Sequence, residues 1–256
     1  MVDIRGYAIN LRSSTADHTY VKSSDGCTWP CFGRSEGGCE ICVGSADSKV
    51  CNELAEPDSH ADITYGITGV CHQAANRILL PTCKTVKEAG GYFASTFVYG
   101  VYGTDAQEFF VKHQIQPCTA STDSTKESEF IKNVQKIYTP LNMRINNNNS
   151  HIDLLDQEFV LFLEYKLDNN VNNTLSVKLK EIHTNFHKRK IELINNLHNQ
   201  KISPRDYANQ LNKELSATLD KFAKELTVTE FKKLFNLMPD EHVILVDPEI
   251  IVLEHK

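Results

Sequence analysis

The chain has 256 residues, of which 41% are hydrophobic and 23% charged, and its formal net charge is -6. This composition is ordinary for a folded protein in water, and the negative balance gives no electrostatic footprint for nucleic acid, so no nucleic-acid partner is expected. No apolar run approaches the roughly 18 residues needed to span a bilayer, and no secretory signal opens the chain. We therefore expect no membrane span, and a cytoplasmic location or secretion by a signal-independent route.

The distribution of cysteine divides the chain into two parts. Seven of the eight Cys precede residue 84 and the eighth is Cys118, whereas the following Lys-, Glu-, Leu- and Asn-rich stretch contains none. This change in composition predicts two domains, residues 1–120 and 121–256. The predicted fold class is α+β, with a small antiparallel sheet packed on a Cys-bearing helix, followed by a mostly helical C-terminal domain.

Short strands are predicted at the start of the first domain. Their β-branched and aromatic content supports this, and Asp25-Gly26 is a hairpin-turn signal between two of them. A glycine- and serine-rich loop is predicted to follow through about residue 60. The predicted strands cover residues 4–11, 18–23 and 27–32, and residues 92–102 are predicted as one more strand or a bent pair.

One helix is clearly predicted between Thr68 and Pro81. Thr68 or Gly69 is a suitable N-cap, and Pro81 ends the helix. Cys71 then lies in the first turn, where unpaired N–H groups and the helix dipole stabilise a thiolate and lower the thiol pKa from about 8.5. The placement suits a nucleophile, although a small Cys on the apolar face of a helix is also typical of a core residue.

Helices are predicted through most of the second domain. Ser124 with Glu127 is a capping box for the first of them, and Thr227 with Glu230 begins a short one. Longer helices are predicted over residues 151–168, 174–199 and 204–226, with a polar break at 146–149 and a strand-like pair at 242–253. These helices are candidates for covering a cleft in the first domain, for binding a protein partner, or for simply stabilising the fold.

His183 and His187 lie four residues apart on one of these helices, which is a spacing that metal ligands use. No carboxylate completes an HExxH signature, so we interpret the pair as part of a solvated helix face. The Lys188-Arg189-Lys190 run is interpreted as surface charge. No metal site is predicted in the second domain.

A cluster of five cysteines lies in the first domain, at Cys27, Cys31, Cys39, Cys42 and Cys51. Two short pairs could close a structural four-cysteine zinc site, and the same residues could form one or two disulfides. Unlinked thiols are the third alternative. The residues do not decide among them.

The motifs of the first domain follow a recognisable order. Asp17-His18-Thr19-Tyr20-Val21 opens a strand, Ser24-Asp25-Gly26 and Thr28-Trp29-Pro30-Cys31-Phe32-Gly33 follow, and Gly69-Val70-Cys71-His72-Gln73 opens the helix. This order resembles the circularly permuted papain-like hydrolases, relatives of the bacterial NlpC-type cell-wall peptidases and of lecithin:retinol acyltransferase. The resemblance covers about residues 4–103.

The resemblance implies a thiol mechanism. It makes Cys71 the nucleophile and His18 the general base that takes its proton and later protonates the leaving group. The family usually has a third, polar residue on the strand after the His, where this chain offers only Thr28. His60 and Asp62, from the loop before the helix, are alternatives for the third position, and His60 is the preferred one.

His72, Trp29 and Tyr65 are the candidates for lining a substrate cleft. His72 points about 100° away from Cys71 around the helix, so it is expected to line the site rather than to serve the thiol. Tyr65 precedes the helix closely enough to reach a cleft. An ordinary turn would explain Tyr65 equally well.

These residues favour a cysteine-dependent hydrolase or acyltransferase that cleaves an amide bond through an acyl-thioester intermediate. Peptidase or amidase activity on a peptide or amide substrate is the leading hypothesis, and deamidase or transglutaminase activity would use the same intermediate. The chemistry needs no cofactor. The alternative is a non-enzymatic interaction protein with a zinc- or disulfide-stabilised head and a helical partner-binding domain.

Overall fold

The computed structural model describes residues 1–11, 16–118, 125–139, 151–167 and 173–255. A four-stranded antiparallel sheet with the order β3-β2-β1-β4 occupies the first half. The strands are β1 (Val2–Asn10), β2 (Asp17–Ser23), β3 (Thr28–Trp29) and β4 (Cys39–Ala46). The three predicted strands correspond to β1, β2 and a shorter β3, and the turn at Asp25-Gly26 joins the last two.

Helices make up most of the remaining described chain. In the first half they are α1 (Ser48–Ala55), α2 (Cys71–Ile78), a 3-10 turn (Leu80–Thr82), α3 (Tyr92–Tyr99) and α4 (Ala106–Lys112). In the second half they are α5 (Lys126–Tyr138), α6 (His151–Leu167), α7 (Asn173–His198), α8 (Pro204–Glu225), α9 (Val228–Phe235) and α10 (Pro248–Glu254). The α+β class with a mostly helical C-terminal part is confirmed.

The Cys-bearing helix α2 packs against the sheet, chiefly against β2. All eight of its residues are buried, including the polar His72, Gln73 and Asn76. The side-chain amides of the last two donate to the chain that follows: Gln73 Nε2 to Gly100 O at 2.9 Å, and Asn76 Nδ2 to Val101 O at 2.8 Å. The helix is therefore held rigidly on both sides.

The prediction of a strand at residues 92–102 was wrong, because Tyr92–Tyr99 form helix α3. Gly91 and Gly100 bound the helix, and both adopt positive φ angles, 72° and 74°. Nearly every side chain of α3 is buried, so no polar face marks the helical period. Burial on all sides outweighs the strand preference of its aromatic and β-branched residues.

Two further segments differ from the predicted secondary structure. The expected loop after residue 33 contains strand β4 and helix α1, whose N-cap Asp47 accepts a hydrogen bond from Lys49 N at 3.0 Å. The expected strand pair at 242–253 is instead a segment without regular secondary structure, followed by helix α10. The N-cap of α10 is Asp247, whose side chain accepts a hydrogen bond from Glu249 N, and Pro248 is the first residue of the helix. In both cases a short helix starts at an aspartate that caps it.

The start of α5 also differs from the prediction. Thr125 is its N-cap, and the Thr125 side chain accepts a hydrogen bond from Ser128 N. Ser124, predicted as the cap, and the predicted polar break at 146–149 lie outside the described residues.

The interpretation of His183 and His187 as a solvated face was wrong, since both side chains are only 2% exposed. His183 Nδ1 lies 2.7 Å from Asp156 Oδ1, and His183 Nε2 lies 3.1 Å from His187 Nε2. Lys190 is equally buried, with Nζ 4.0 Å above the ring of Tyr99. This face of α7 therefore packs on α3 instead of facing water.

The five clustered cysteines are all free thiols in the structure, and the disulfide joins two others, Cys83 and Cys118. No group of three or more potential metal ligands occurs among the described residues, so the zinc alternative has no structural support. The pairing of Cys83 with Cys118 had no signal in the sequence. It ties the 3-10 turn after α2 to the end of the chain segment that follows α4.

The two predicted domains share one apolar core. Phe97 of α3 lies among the rings of Phe159, Phe186, Phe222 and Phe235 from the helical half, with centroid distances of 5.2 to 5.8 Å. The predicted boundary at residue 120 falls outside the described residues and stays a prediction. Within the described ranges, no helix is both long and apolar enough to cross a bilayer.

Candidate active site

The candidate nucleophile Cys71 is the first residue of α2. Val70 is the N-cap, with an extended backbone, and its N–H donates to Gln73 Oε1 at 3.1 Å. The N–H groups of Cys71 and His72 have no partner within the helix, because the first turn of any helix leaves its donors free. The predicted N-caps Thr68 and Gly69 are thus one or two residues too early, but the first-turn position of Cys71 is as predicted.

His18 of β2 lies next to this sulfur. α2 packs across β2, and the Cys71 thiol donates to the main-chain carbonyl of Asp17 at 3.8 Å. His18 and Cys71 line the same cavity, and each is among the causes of the other's pKa shift. Cys71 is 9% exposed and His18 8%, so the pair is mostly shielded from water.

A main-chain carbonyl orients the imidazole of His18. His18 Nε2 lies 2.9 Å from Arg34 O, which leaves the opposite side of the ring for the thiol. Cys31 and Phe32 both adopt left-handed backbone conformations, with φ angles of 52° and 74°, and turn the chain back over His18. The polar contact expected from a third side chain is thus made with the backbone of Arg34.

Gly33 allows this close approach. A Cβ at Gly33 would lie 2.5 Å from Cε1 and 2.6 Å from Nε2 of His18, well inside van der Waals contact. The backbone of Gly33 therefore rests directly against the imidazole. Any side chain at this position would push the ring or the loop away.

The environment favours a thiolate on Cys71. Burial raises the pKa of the thiol, but the hydrogen bond and charge of His18, with further hydrogen bonds from Thr19, outweigh burial and lower it. Burial lowers the pKa of His18, and the hydrogen bond and charge of Cys71 outweigh this and raise it. The two opposite shifts stabilise a thiolate–imidazolium pair.

Three other cysteines, which are buried or partly buried, have raised thiol pKa values. Burial raises the pKa of Cys42 to about 11, that of Cys51 to about 12, and that of Cys31 well above its ordinary value. Desolvation keeps these thiols protonated and therefore unreactive. Cys71 is the cysteine of the described chain whose pKa is lowered.

A cavity of about 510 Å³ opens beside Cys71 and His18. One wall comes from the ends of β1 and β2 and from the loop containing Phe32, Gly33 and Arg34. The other wall comes from residues 242–254, here called the closing segment, which contributes Ile244, Leu245 and Pro248 among others. The volume is in the range of small-molecule sites.

Polar contacts hold the closing segment over the cavity. Asn212 of α8 accepts from the N–H groups of Leu245 and Val246, each at 3.0 Å, and donates to Val246 O at 2.8 Å. Tyr65 accepts from Asp247 N at 3.1 Å. The helical half therefore covers the cleft of the first half, as one of the sequence-based alternatives proposed.

His72 lines the cavity wall but is only 1% exposed. Its Nδ1 lies 2.8 Å from Ser95 Oγ, whose hydroxyl donates to Tyr92 O. Burial, with the nearby charge of His18, lowers the pKa of His72 to about 3, so the ring stays neutral. His72 thus fixes α2 to α3 at the back of the site.

The remaining predicted site residues divide into two groups. Tyr65 lines the cavity with Cys71, His18 and His72. The others lie elsewhere: Trp29 is buried and donates to Asn52 Oδ1 at 2.9 Å, Thr28 is exposed at the sheet edge, and Asp62 pairs with Lys112 at 2.5 Å.

His60 stacks on Phe32 with ring centroids 3.9 Å apart, and its Nδ1 lies 3.7 Å from Glu254. The contacts of His60 do not include His18 or Cys71. It therefore supports the loop that carries Phe32, from behind the cavity wall. Its predicted place in the catalytic set stays a prediction.

Sequence reasoning missed Gly33, the Arg34 carbonyl and the closing segment. Only Gly33 carries a sequence signal, as a glycine directly after the Thr28–Phe32 segment. No known protein family, curated protein or solved structure matches the chain. The resemblance to the permuted papain-like hydrolases accordingly rests on the residues quoted for it.

Proposed function

We propose that this protein is a cysteine-dependent hydrolase or acyltransferase that cleaves an amide bond, with a peptidase or amidase as the leading form. The observation that supports the proposal is that Cys71, at the N-terminus of α2, and His18, on β2, are both buried and line the same cavity. A thiol pKa lowered by an adjacent imidazole is what a nucleophilic cysteine needs at neutral pH. The cavity beside the pair supplies room for a substrate.

In the first step the Cys71 thiolate attacks the carbonyl carbon of the amide and forms a C–S bond. The electron pair of the C=O bond moves to oxygen, and the free N–H groups of Cys71 and His72 are placed to donate to this oxyanion. The His18 imidazolium then gives its proton to the amide nitrogen. The C–N bond breaks, and an amine leaves an acyl-thioester on Cys71.

In the second step an acceptor resolves the thioester. Neutral His18 takes a proton from water or from an amine as that group attacks the acyl carbon, and the thiolate leaves. Water gives a peptidase, amidase or deamidase, whereas an amine gives a transglutaminase-like transfer. His18 stays aligned through both steps because Arg34 O holds its Nε2.

The partner in this proposal is a peptide or amide substrate, and the helical half is a candidate surface for a protein partner. A cytoplasmic location, or secretion by a signal-independent route, stays a prediction. The free thiols at Cys27, Cys39 and Cys42 suit a reducing compartment, whereas the Cys83–Cys118 disulfide suits an oxidising one.

Iodoacetamide labelling across pH, followed by peptide mapping, tests the proposal. The thiolate displaces iodide, so the labelling rate follows thiolate content. We expect Cys71 to label at pH values well below 8.5, with the exposed Cys39 in the same digest as the internal reference. In His18→Ala the labelling of Cys71 should move to higher pH, because desolvation is then opposed only by the hydrogen bonds with Thr19.

The intermediate is tested separately with p-nitrophenyl acetate. Wild type should retain an acetyl group on Cys71 after a short reaction, as seen by mass spectrometry, and Cys71→Ser should retain none there. Equal labelling of Cys71 and Cys39 across pH, in wild type and His18→Ala alike, would contradict the enzyme. That outcome would favour the non-enzymatic interaction protein.

A further inference from the structure

We propose that the cavity beside Cys71 selects substrates that combine a bulky apolar group with a carboxylate, and that the Arg34 guanidinium recognises the carboxylate. Arg34 would then be a specificity-determining residue. The inference rests on the proposed function, because it names the substrate class of that same site. Two features of the cavity support it, namely its apolar walls and its charges.

The walls of the cavity are largely apolar. They include Leu11, Phe32, Val70, Leu245, Pro248 and Ile250. Leu11 is 38% exposed and Ile244, also on the wall, is 49% exposed, so apolar surface of the cavity faces solvent. A bulky apolar group would remove this surface from water, which is favourable in proportion to the area covered.

The charged side chains that line the cavity differ in whether they have hydrogen-bond or ion-pair partners. Asp17 Oδ2 accepts from Gly90 N and Asp247 Oδ1 accepts from Glu249 N, each at 2.8 Å. Arg34 is exposed, and no ion pair of its guanidinium occurs among the described residues. A cation at the opening of an apolar cavity is the complement of a carboxylate attached to an apolar group.

The net charge of the chain by itself predicts the opposite preference. With a net charge of -6 and a thiolate at Cys71, the protein should repel anionic reagents in general. The charge of the His18 imidazolium is offset by the thiolate, so a faster reaction of Cys71 with an anionic reagent than with its neutral analogue would need a further local cation. Arg34 is the arginine among the residues that line the cavity, and its side chain is exposed.

The test uses a matched series of iodoacetyl reagents that alkylate Cys71 of the full chain. The series comprises iodoacetamide, N-iodoacetyl-glycinamide, N-iodoacetyl-phenylalaninamide and N-iodoacetyl-phenylalanine. A fifth reagent, N-iodoacetyl-glutamyl-phenylalaninamide, distinguishes an acidic side chain from a terminal carboxylate as the recognised group. Each rate is divided by the iodoacetamide rate of the same variant, so that differences in thiol reactivity cancel.

We expect the phenylalaninamide reagent to react about tenfold faster than the glycinamide reagent, because the apolar walls hold its ring. We expect a carboxylate-bearing reagent to react about threefold faster than phenylalaninamide, the range of a partly exposed ion pair. Arg34→Gln should bring this second ratio to one or below. Arg34→Lys should keep part of it, and the distant control Arg189→Gln should keep all of it.

A ratio of one or less for both carboxylate reagents in wild type would overturn the assignment to Arg34, as would an unchanged ratio in Arg34→Gln. Equal rates for the phenylalaninamide and glycinamide reagents would overturn the apolar part. These failures are distinct from failure of the proposed function, which would appear as slow, His18-independent labelling of Cys71 by iodoacetamide itself.

Discussion

Replacing Gly33 by Ala should damage the site without touching Cys71. The added Cβ would lie 2.5 Å from Cε1 of His18, about 0.9 Å inside the 3.4 Å at which ordinary contact begins. Gly33 has no positive φ angle, so the backbone itself accepts Ala. The strain must therefore be relieved by moving the imidazole or the loop that carries Arg34 O.

A displacement of this size has two effects on Cys71. A misplacement of about 1 Å reduces turnover by about 100-fold in well-aligned sites. Each unit by which the Cys71 pKa rises also lowers the thiolate fraction about tenfold at a pH below that pKa. We therefore expect the iodoacetamide labelling rate of Cys71 at pH 6 to fall at least about tenfold, with a stability loss of about 1–3 kcal/mol.

Gly44→Ala is the matched control. Its Cβ would also meet a neighbour at 2.5 Å, but that neighbour is Thr82, away from the cavity. We expect a comparable loss of stability in urea unfolding and a wild-type pH profile for the labelling of Cys71. A wild-type profile in Gly33→Ala would refute the idea that the glycine backbone positions His18.

Three further predictions concern the surrounding fold. Burial raises the pKa of Glu158 to about 7, so the stability that its protonated form contributes is full below pH 4.5 and is lost as the pH rises through 7. Between these pH values the free energy of unfolding of wild type, measured in urea relative to Glu158→Gln, should fall by about 3 kcal/mol. Burial lowers the pKa of Lys190 to about 7, so the stability of the fold falls as the pH drops from 10.5 through 7. Lys190→Met should therefore raise Tm more at pH 6 than at pH 9. Asn212→Ala removes three hydrogen bonds to Leu245 and Val246, each of which contributes about 1 kcal/mol. Amide hydrogen exchange in the closing segment should therefore become faster, and unchanged exchange there would contradict the idea that Asn212 holds the segment.

The sequence predicts those parts of the fold that carry local signals. Asp25-Gly26 marks a hairpin and Pro81 marks the end of a helix, and both depend on the conformational limits of single residues. The first-turn position of Cys71 followed from the predicted caps Thr68 and Gly69, although the observed N-cap is Val70. The contact between His18 and Cys71 followed from motif order, because periodicity does not say which strand a helix packs against.

The remaining features depend on tertiary contacts that have no local pattern. α3 is buried on all sides, so its composition resembles that of a strand, and His183 is buried because α3 lies against it. A main-chain carbonyl such as Arg34 O carries no residue preference that a reader of the sequence could use. The closing segment meets Cys71 only after the intervening helices have folded together.

Helix α3 has a consequence for any attempt to dissect this protein. Ser95, within the helix, and Gly100, at its C-terminal cap, hold His72 and Gln73 beside Cys71, and Phe97 is enclosed by rings from four helices of the other half. A fragment ending near residue 118 would leave Phe97 in water and lose the closing segment. Expressed alone, such a fragment should aggregate instead of yielding a minimal enzyme.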